Sequence, residues 1–403
     1  MIRTVFIFIN LLFCYDDNYL LIVSFDGFRS DYIKRVPTPN FDHLARLGTK
    51  AESLIPIFPS LTFPNHYSIA TGSYADKHNI TGNIFFDKSK NMEYNLRKPV
   101  TVRDPEFYKS EPIWVTAERQ GLKTASFYWV GTEAPIKNYL PSIFKYYDGS
   151  VLFKDRVDSV ITWLNLEEKR RPQLTMLYFS EPDYIGHNLG VNHRDVEKKI
   201  SEMDELLGYL LSRLKTLPIY KFLNILILSD HGMVDVSKDR LVILDDYLYF
   251  SDNLKIYGSG ALAQISINEQ VNKDILESKI NTIPNIKYWK KKDIPSRFHF
   301  SNNNTMDYLL LADEGWFLTT NKQLDDKPFS LGGMHGYDPN LESMHGIFYA
   351  IGPKIKSNYK IDSFENIHIY PLMCQLLNIK PYSNTTDGPD GQLEVLKQIM
   401  ISN

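Results

Sequence analysis

YLLIVSFD, Tyr19 to Asp26, is an almost continuously apolar run that stops at a carboxylate. A strand with one wet face alternates apolar and polar residues, whereas a strand covered on both faces reads apolar throughout. The run therefore reads as a buried parallel strand. Four more stretches have the same character: KTASFYW (123–129), LTMLYFS (174–180), NILILS (224–229) and GIFYAIG (346–352). Helical periodicity lies between them, clearest in KDRVDSVITWLNLEE (154–168) and RDVEKKISEMDELLGYLLSRLKTL (194–217). Strands alternating with helices predict an α/β fold, a doubly wound and mostly parallel central sheet with helices on both faces. The stretch at about 234–329 is less regular, with short strands such as ALAQISI (261–267) and YLLLADE (308–314), and is expected to be a small inserted lobe. Residues 16–398 are otherwise expected to form a single catalytic domain.

Three of the apolar runs end in an acid: Asp26, Asp183 and Asp230. Ligands of open α/β sheets bind beyond the carboxyl ends of the strands. Three carboxylates gathered there would raise one another's pKa unless cations neutralise them. Two of the acids bring a histidine, Asp183 with His187 in EPDYIGH and Asp230 with His231 in SDHG. At a spacing of four residues Asp183 and His187 share a face if a helical turn follows the proline; for this motif alone, a capping Asp and a surface His are equally open. GGMHGYD adds His335 in a glycine-flanked context that lets backbone approach a metal closely. Mixed His and Asp ligands favour zinc, with manganese as competitor, over calcium or magnesium.

Composition narrows the partners. The 403-residue chain is 43% hydrophobic and 23% charged, with a net charge of -3 and a pI near 6.4. No basic field exists for tracking nucleic acid, so phosphate recognition must be local. The opening MIRTVFIFINLLFCYDD, residues 1–15 above all, resembles a short secretory signal peptide or signal anchor, with a buried N-terminal strand as the alternative. Sequons at Asn79, Asn303 and Asn384 fit a secreted protein. Cys14 and Cys374 give no internal disulfide framework once the signal is removed. No second long apolar run predicts a membrane anchor, and a monomer is expected.

A metal-coordinated hydroxyl is a nucleophile at neutral pH. In IFPSLTFPNHYSIATG, Thr62 precedes the expected helix NHYSIATG, near a helix N-terminus that stabilises negative charge. By pattern alone, an N-cap threonine without chemistry is the simpler reading. His66, one turn on, reads as structural, and His345, which runs straight into a strand, reads as a strand-entry residue.

FDGFRSDY with TPNFDHLARLG, FPSLTFPNHYSIATGSYADKHNITGN, EPDYIGH, LSDHGM and GGMHGYDP together resemble the nucleotide pyrophosphatase/phosphodiesterase family of the alkaline phosphatase superfamily, in order and over nearly the whole chain after Tyr19. The resemblance implies two Zn2+, one held by Asp183, His187 and His335, the other by Asp26, Asp230, His231 and the Thr62 oxygen. It further implies that Asn83 and the Thr62 amide hold a phosphoryl oxygen and that the reaction passes through a nucleotidyl-threonine. Phe63 and Tyr147 match the aromatic pair that sandwiches the base in nucleotide-cleaving members, with Tyr178 close by as a ribose or phosphate contact. Two Zn2+ would balance three carboxylates and a Thr62 alkoxide, so a phosphodiester anion could enter a neutral site. Nucleotide or dinucleotide substrates are thus expected. A choline-phosphate or lysophospholipid phosphodiesterase of the same family and a non-catalytic secreted binding protein are the alternatives.

Overall fold

A computed structural model describes residues 18–326 and 332–401. The expected signal segment and the far boundary of the expected lobe lie outside them. The central sheet is built from β1 (Tyr19–Phe25), β2 (Thr49–Ala51), β3 (Thr124–Phe127), β4 (Ile143–Lys145), β5 (Leu174–Phe179), β6 (Leu223–Leu228), β7 (Phe348–Ile351) and β8 (Tyr359–Ile361). Their order across the sheet is β8-β2-β7-β6-β1-β5-β3-β4. β1 sits in the middle, parallel to β5 on one side and to β6 on the other.

Period-two geometry explains the unbroken apolar run of β1. Leu20 and Ile22 enter one core and Tyr19, Leu21, Val23 and Phe25 the other. The helices that cover these faces are α1 (Pro39–Leu47), α2 (Thr62–Thr71), α3 (Ile113–Arg119), α4 (Phe153–Leu164), α5 (Asp183–Leu189), α6 (Arg194–Leu214) and α7 (Ile369–Leu377). Ile69 of α2, Trp114 of α3 and Leu372 of α7 pack on the Leu20 side. Leu44 of α1, Val160 of α4 and Leu207 of α6 pack on the other. Thr38 gives α1 no side-chain cap; Asp204 of α6 replaces it, accepting the Asn40 and Phe41 amides at 3.0 Å each.

One strand departs from expectation. GIFYAIG yields β7, which runs antiparallel to both β6 and β2. An unbroken apolar run reports burial on both faces and carries no information on direction.

Beyond β6, a four-stranded antiparallel sheet orders Leu254–Tyr257, Leu262–Ile267, Tyr308–Ala312 and Ile286–Lys290 side by side. It has its own apolar cluster, including Leu244, Ile265 and Leu310. The chain returns through Gly333–Met334, paired with Val234–Asp235, and so delivers His335 to the rim of the main sheet. No helix among the described residues is long and apolar enough to cross a membrane.

Candidate active site

The three acids meet beyond the ends of adjacent strands β5, β1 and β6. Backbone bonds set their spacing: Asp183 N–H donates to Asp26 O at 3.0 Å, and Gly27 N–H donates to Asp230 Oδ1 at 3.1 Å. Gly27 has φ +65, and a Cβ there would lie 2.7 Å from the Asp183 Cβ. Only glycine lets the turn after β1 press so closely on Asp183. Asp183 opens α5, and His187 follows one turn later, as the four-residue spacing predicts.

The imidazoles are aimed. Nδ1 of His187, His231 and His335 lies 2.9, 2.9 and 2.8 Å from the carbonyl oxygens of Gly333, Gly232 and Ser60. A carbonyl can only accept, so each Nδ1 carries a hydrogen, and each Nε2 presents a lone pair when its ring is neutral. The Nε2 atoms of His187 and His335 are 3.0 Å apart. Asp183, His187 and His335 form one group with ligand atoms within 4.8 Å of one another, and Asp26, Asp183 and His231 form a second. Asp230 Oδ2 lies 3.1 Å from His231 Nε2 and joins that second group from the side. Asp26 Oδ1, Asp183 Oδ1 and Asp230 Oδ2 are buried without a hydrogen-bond partner among the described residues. Orphaned carboxylate oxygens facing imidazole lone pairs make a donor set that fits divalent cations, with histidines oriented through their far nitrogens as metal ligands are.

Electrostatics describe the same site. Burial, then the charges of Asp230 and Asp183, push the Asp26 carboxyl well above its ordinary range. Burial would also raise Asp230, but His231 and His66 hold it well below. Burial pushes His335 far down, helped by His231 and His187. Burial and the neighbouring carboxylates thus disfavour the charged form of Asp26, a cost that a bound cation would relieve.

Thr62 is the first residue of α2. Leu61, not Thr62, occupies the N-cap position, and the Thr62 hydroxyl lies 3.2 Å from His231 Nε2. The structure thus turns the hydroxyl toward the acids and imidazoles, not into a cap. Asn65 braces the preceding loop, accepting the Ile57 amide and donating to the carbonyls of Pro59 and Leu61. Asn83 Oδ1 accepts the Phe63 amide at 2.9 Å, which leaves Nδ2 as the donating end beside Thr62.

The aromatic candidates divide. Phe63 packs edge-on against Tyr94 and remains half-buried at the site. Tyr147 is 56% exposed, 5.1 Å from the Tyr128 ring, and within electrostatic reach of Asp26. Tyr178 donates its hydroxyl to Asp26 Oδ2 at 2.5 Å, so that group is engaged with a candidate ligand and only the ring faces elsewhere. His345 is bonded at both nitrogens, to Ser53 Oγ and Pro339 O. His66, read from the sequence as structural, lies 3.3 Å from Asp230. Its four-residue spacing from Thr62 was the available signal.

The family model described as "Type I phosphodiesterase / nucleotide pyrophosphatase" matches residues 20–338. The chain belongs to this family. Its members carry the names of hydrolases. Human ectonucleotide pyrophosphatase/phosphodiesterase family member 5 is 37% identical over 90% of the chain and 75% of its own length. The Xenopus laevis protein named bis(5'-adenosyl)-triphosphatase is 34% identical over 91% of the chain and 79% of its own length. The Crotalus durissus collilineatus venom phosphodiesterase is 36% identical over 95% of the chain, which spans only 47% of that longer relative. The solved structure of human member 5 superposes with a TM-score of 0.89 at 35% identity, covering 95% of this chain and all of the other. Murine member 5, solved as an inactive threonine-to-alanine variant in complex with AMP, also gives 0.89, at 33% identity over 95% of this chain and 100% of the other.

Proposed function

We propose that this chain is a secreted phosphodiesterase that cleaves nucleotide pyrophosphate and phosphodiester bonds, such as those of ATP and dinucleotides, through a nucleotidyl-threonine. The observation that carries this reading is Thr62 at the N-terminus of α2, its hydroxyl 3.2 Å from His231 Nε2 and beside the orphaned carboxylates. The murine relative, described as inactive when a threonine is replaced and holding AMP, supports both nucleophile and substrate class. The venom and ecto-enzyme names of relatives support secretion, as do the exposed sequons at Asn303 and Asn384. Asn79 does not: its Nδ2 donates to Asp87 and Phe107 at 3.1 Å each, which leaves no amide nitrogen for a glycan.

Thr62 Oγ attacks the phosphorus, forming one P–O bond as the bond to pyrophosphate or alcohol breaks. Water then hydrolyses the nucleotidyl-threonine and restores the hydroxyl. Asn83 Nδ2 and the amide end of α2 hold a non-bridging oxygen, where the helix dipole favours negative charge. Phe63 and Tyr147 supply aromatic faces for the base, which suits several bases because stacking is sequence-tolerant. Two Zn2+, held by Asp183, His187 and His335 and by Asp26, Asp230 and His231, would act as Lewis acids and neutralise the carboxylates.

The test compares wild type with Thr62→Ala on ATP and on glycerophosphocholine in the presence of zinc. AMP formed by wild type, with at least a ~1000-fold loss in Thr62→Ala, is expected. Release of choline phosphate with ATP left intact would overturn the nucleotide reading in favour of a lipid-headgroup phosphodiesterase.

A further inference from the structure

His66 is fully buried, and a buried histidine is usually a satisfied core residue. His78 is such a case, bonded to Ser68 and to the Ile80 amide. The partners of His66 are of another kind. Its Nδ1 lies 2.9 Å from the carbonyl oxygen of Thr62 and 3.3 Å from Asp230 Oδ2, one of the oxygens with no hydrogen-bond partner. Its Nε2 meets Ser24 Oγ at 2.8 Å, two residues before Asp26 on β1. Trp129 and Tyr178 meet the ring edge-on, at 5.1 and 5.3 Å between centroids, and Trp129 Nε1 also donates to the His66 carbonyl. The ring is therefore fixed from every side. Because Thr62 and His66 stand four residues apart on α2, the imidazole reaches back along one face to the nucleophile's own carbonyl.

We propose that His66 is a positioning residue: its Nδ1–H holds the carbonyl of Thr62, and the same ring edge lies against Asp230, which sets the nucleophile's place relative to the acids. The inference rests on Thr62 being the nucleophile. Asp230 also accepts the Gly27 amide, so one ring joins α2, β6 and the turn after β1. A hydroxyl at the end of a helix could otherwise drift by a fraction of an ångström, and misplacement near 1 Å costs about 100-fold in rate.

The experiment uses p-nitrophenyl thymidine monophosphate with wild type, Thr62→Ala, His66→Leu, His66→Asn and Ser24→Ala. It reads kcat, KM, zinc retained after dialysis, and Tm. His66→Leu fills the volume without a donor and is expected to lower kcat about 100-fold with KM and zinc content unchanged. His66→Asn places an amide donor where Nδ1 sits and is expected to recover about tenfold of that loss. Ser24→Ala releases the far side of the ring and is expected to lower kcat by about threefold to tenfold with zinc retained. Full kcat in His66→Leu overturns the proposal. So does an equal loss in the Leu and Asn variants accompanied by parallel loss of zinc and Tm, which marks a purely structural residue. Should His66→Leu not fold, the Asn and Ser24 variants decide, and wild-type kcat in Ser24→Ala counts against the proposal. Activity persisting in Thr62→Ala would instead sink the nucleophile assignment itself.

Discussion

His78 shows how a single side chain sets a limit on the acid tolerance of the fold. Burial pushes its pKa down to about 3, whereas an unfolded histidine titrates near 6.5. Between those values the unfolded chain binds a proton that the native state refuses. The stability contribution is therefore complete above about pH 6.5 and falls by about 1.4 kcal/mol per unit as the pH drops toward 3. His78→Gln keeps a donor for Ser68 but cannot take up a proton, so it should lower Tm at neutral pH yet flatten the fall in Tm between about pH 6.5 and 4.5. Scanning calorimetry across that range checks this, and an unchanged acid slope would place the acid sensitivity in other groups. The same scale shows what a sequence cannot display. His66 and His78 are both buried histidines that follow Thr62 in the chain, and only the partners of their ring nitrogens separate them. Tyr178 was legible as a residue near the site, but not as a donor to Asp26, because rotamer and partner emerge only once β1 and β5 lie side by side.

At the scale of elements, most of the site follows from where strands stop. Apolar runs ending in Asp26, Asp183 and Asp230 were readable, and so was the helical turn that puts His187 over Asp183. The direction of β7 was not, since burial on both faces is the same for either orientation. The loop that carries Tyr147 has no periodicity to read; it is held by Glu133, which accepts the Tyr147 amide at 2.8 Å. The glycines around His335 were read as places of close backbone approach, and Gly332 is one: a Cβ there would lie 2.2 Å from the His187 carbonyl oxygen. That neighbour is backbone and cannot rotate away. Gly332→Ala must therefore push the Gly333–Met334 segment off α5, shifting both His187, which bonds to Gly333 O, and His335. Zinc affinity measured by chelator competition should fall about 10- to 100-fold, with activity falling in step at limiting zinc. Unchanged affinity would mean that the segment has slack that the packing does not suggest.

Across the whole molecule, the proposed cations are a stabilising ligand that only the folded chain can bind. At about 1,000 times the dissociation constant such a ligand adds about 4 kcal/mol, so chelation should lower Tm by several degrees and re-addition of zinc should restore it. A Tm indifferent to chelator would argue against a metal held by this donor set. The placement of β1 has a further consequence, for the order of events during synthesis. Among the described residues the first strand of the main sheet is the central one, and both of its partners, β5 at residues 174–179 and β6 at 223–228, emerge far later. Until then its unpaired edges and two apolar faces have nothing native to meet, and contacts of such long sequence separation form slowly. The nascent chain must therefore shelter β1 until residue 228 has emerged, and uptake of the proposed cations would signal that the last of the three strands has arrived.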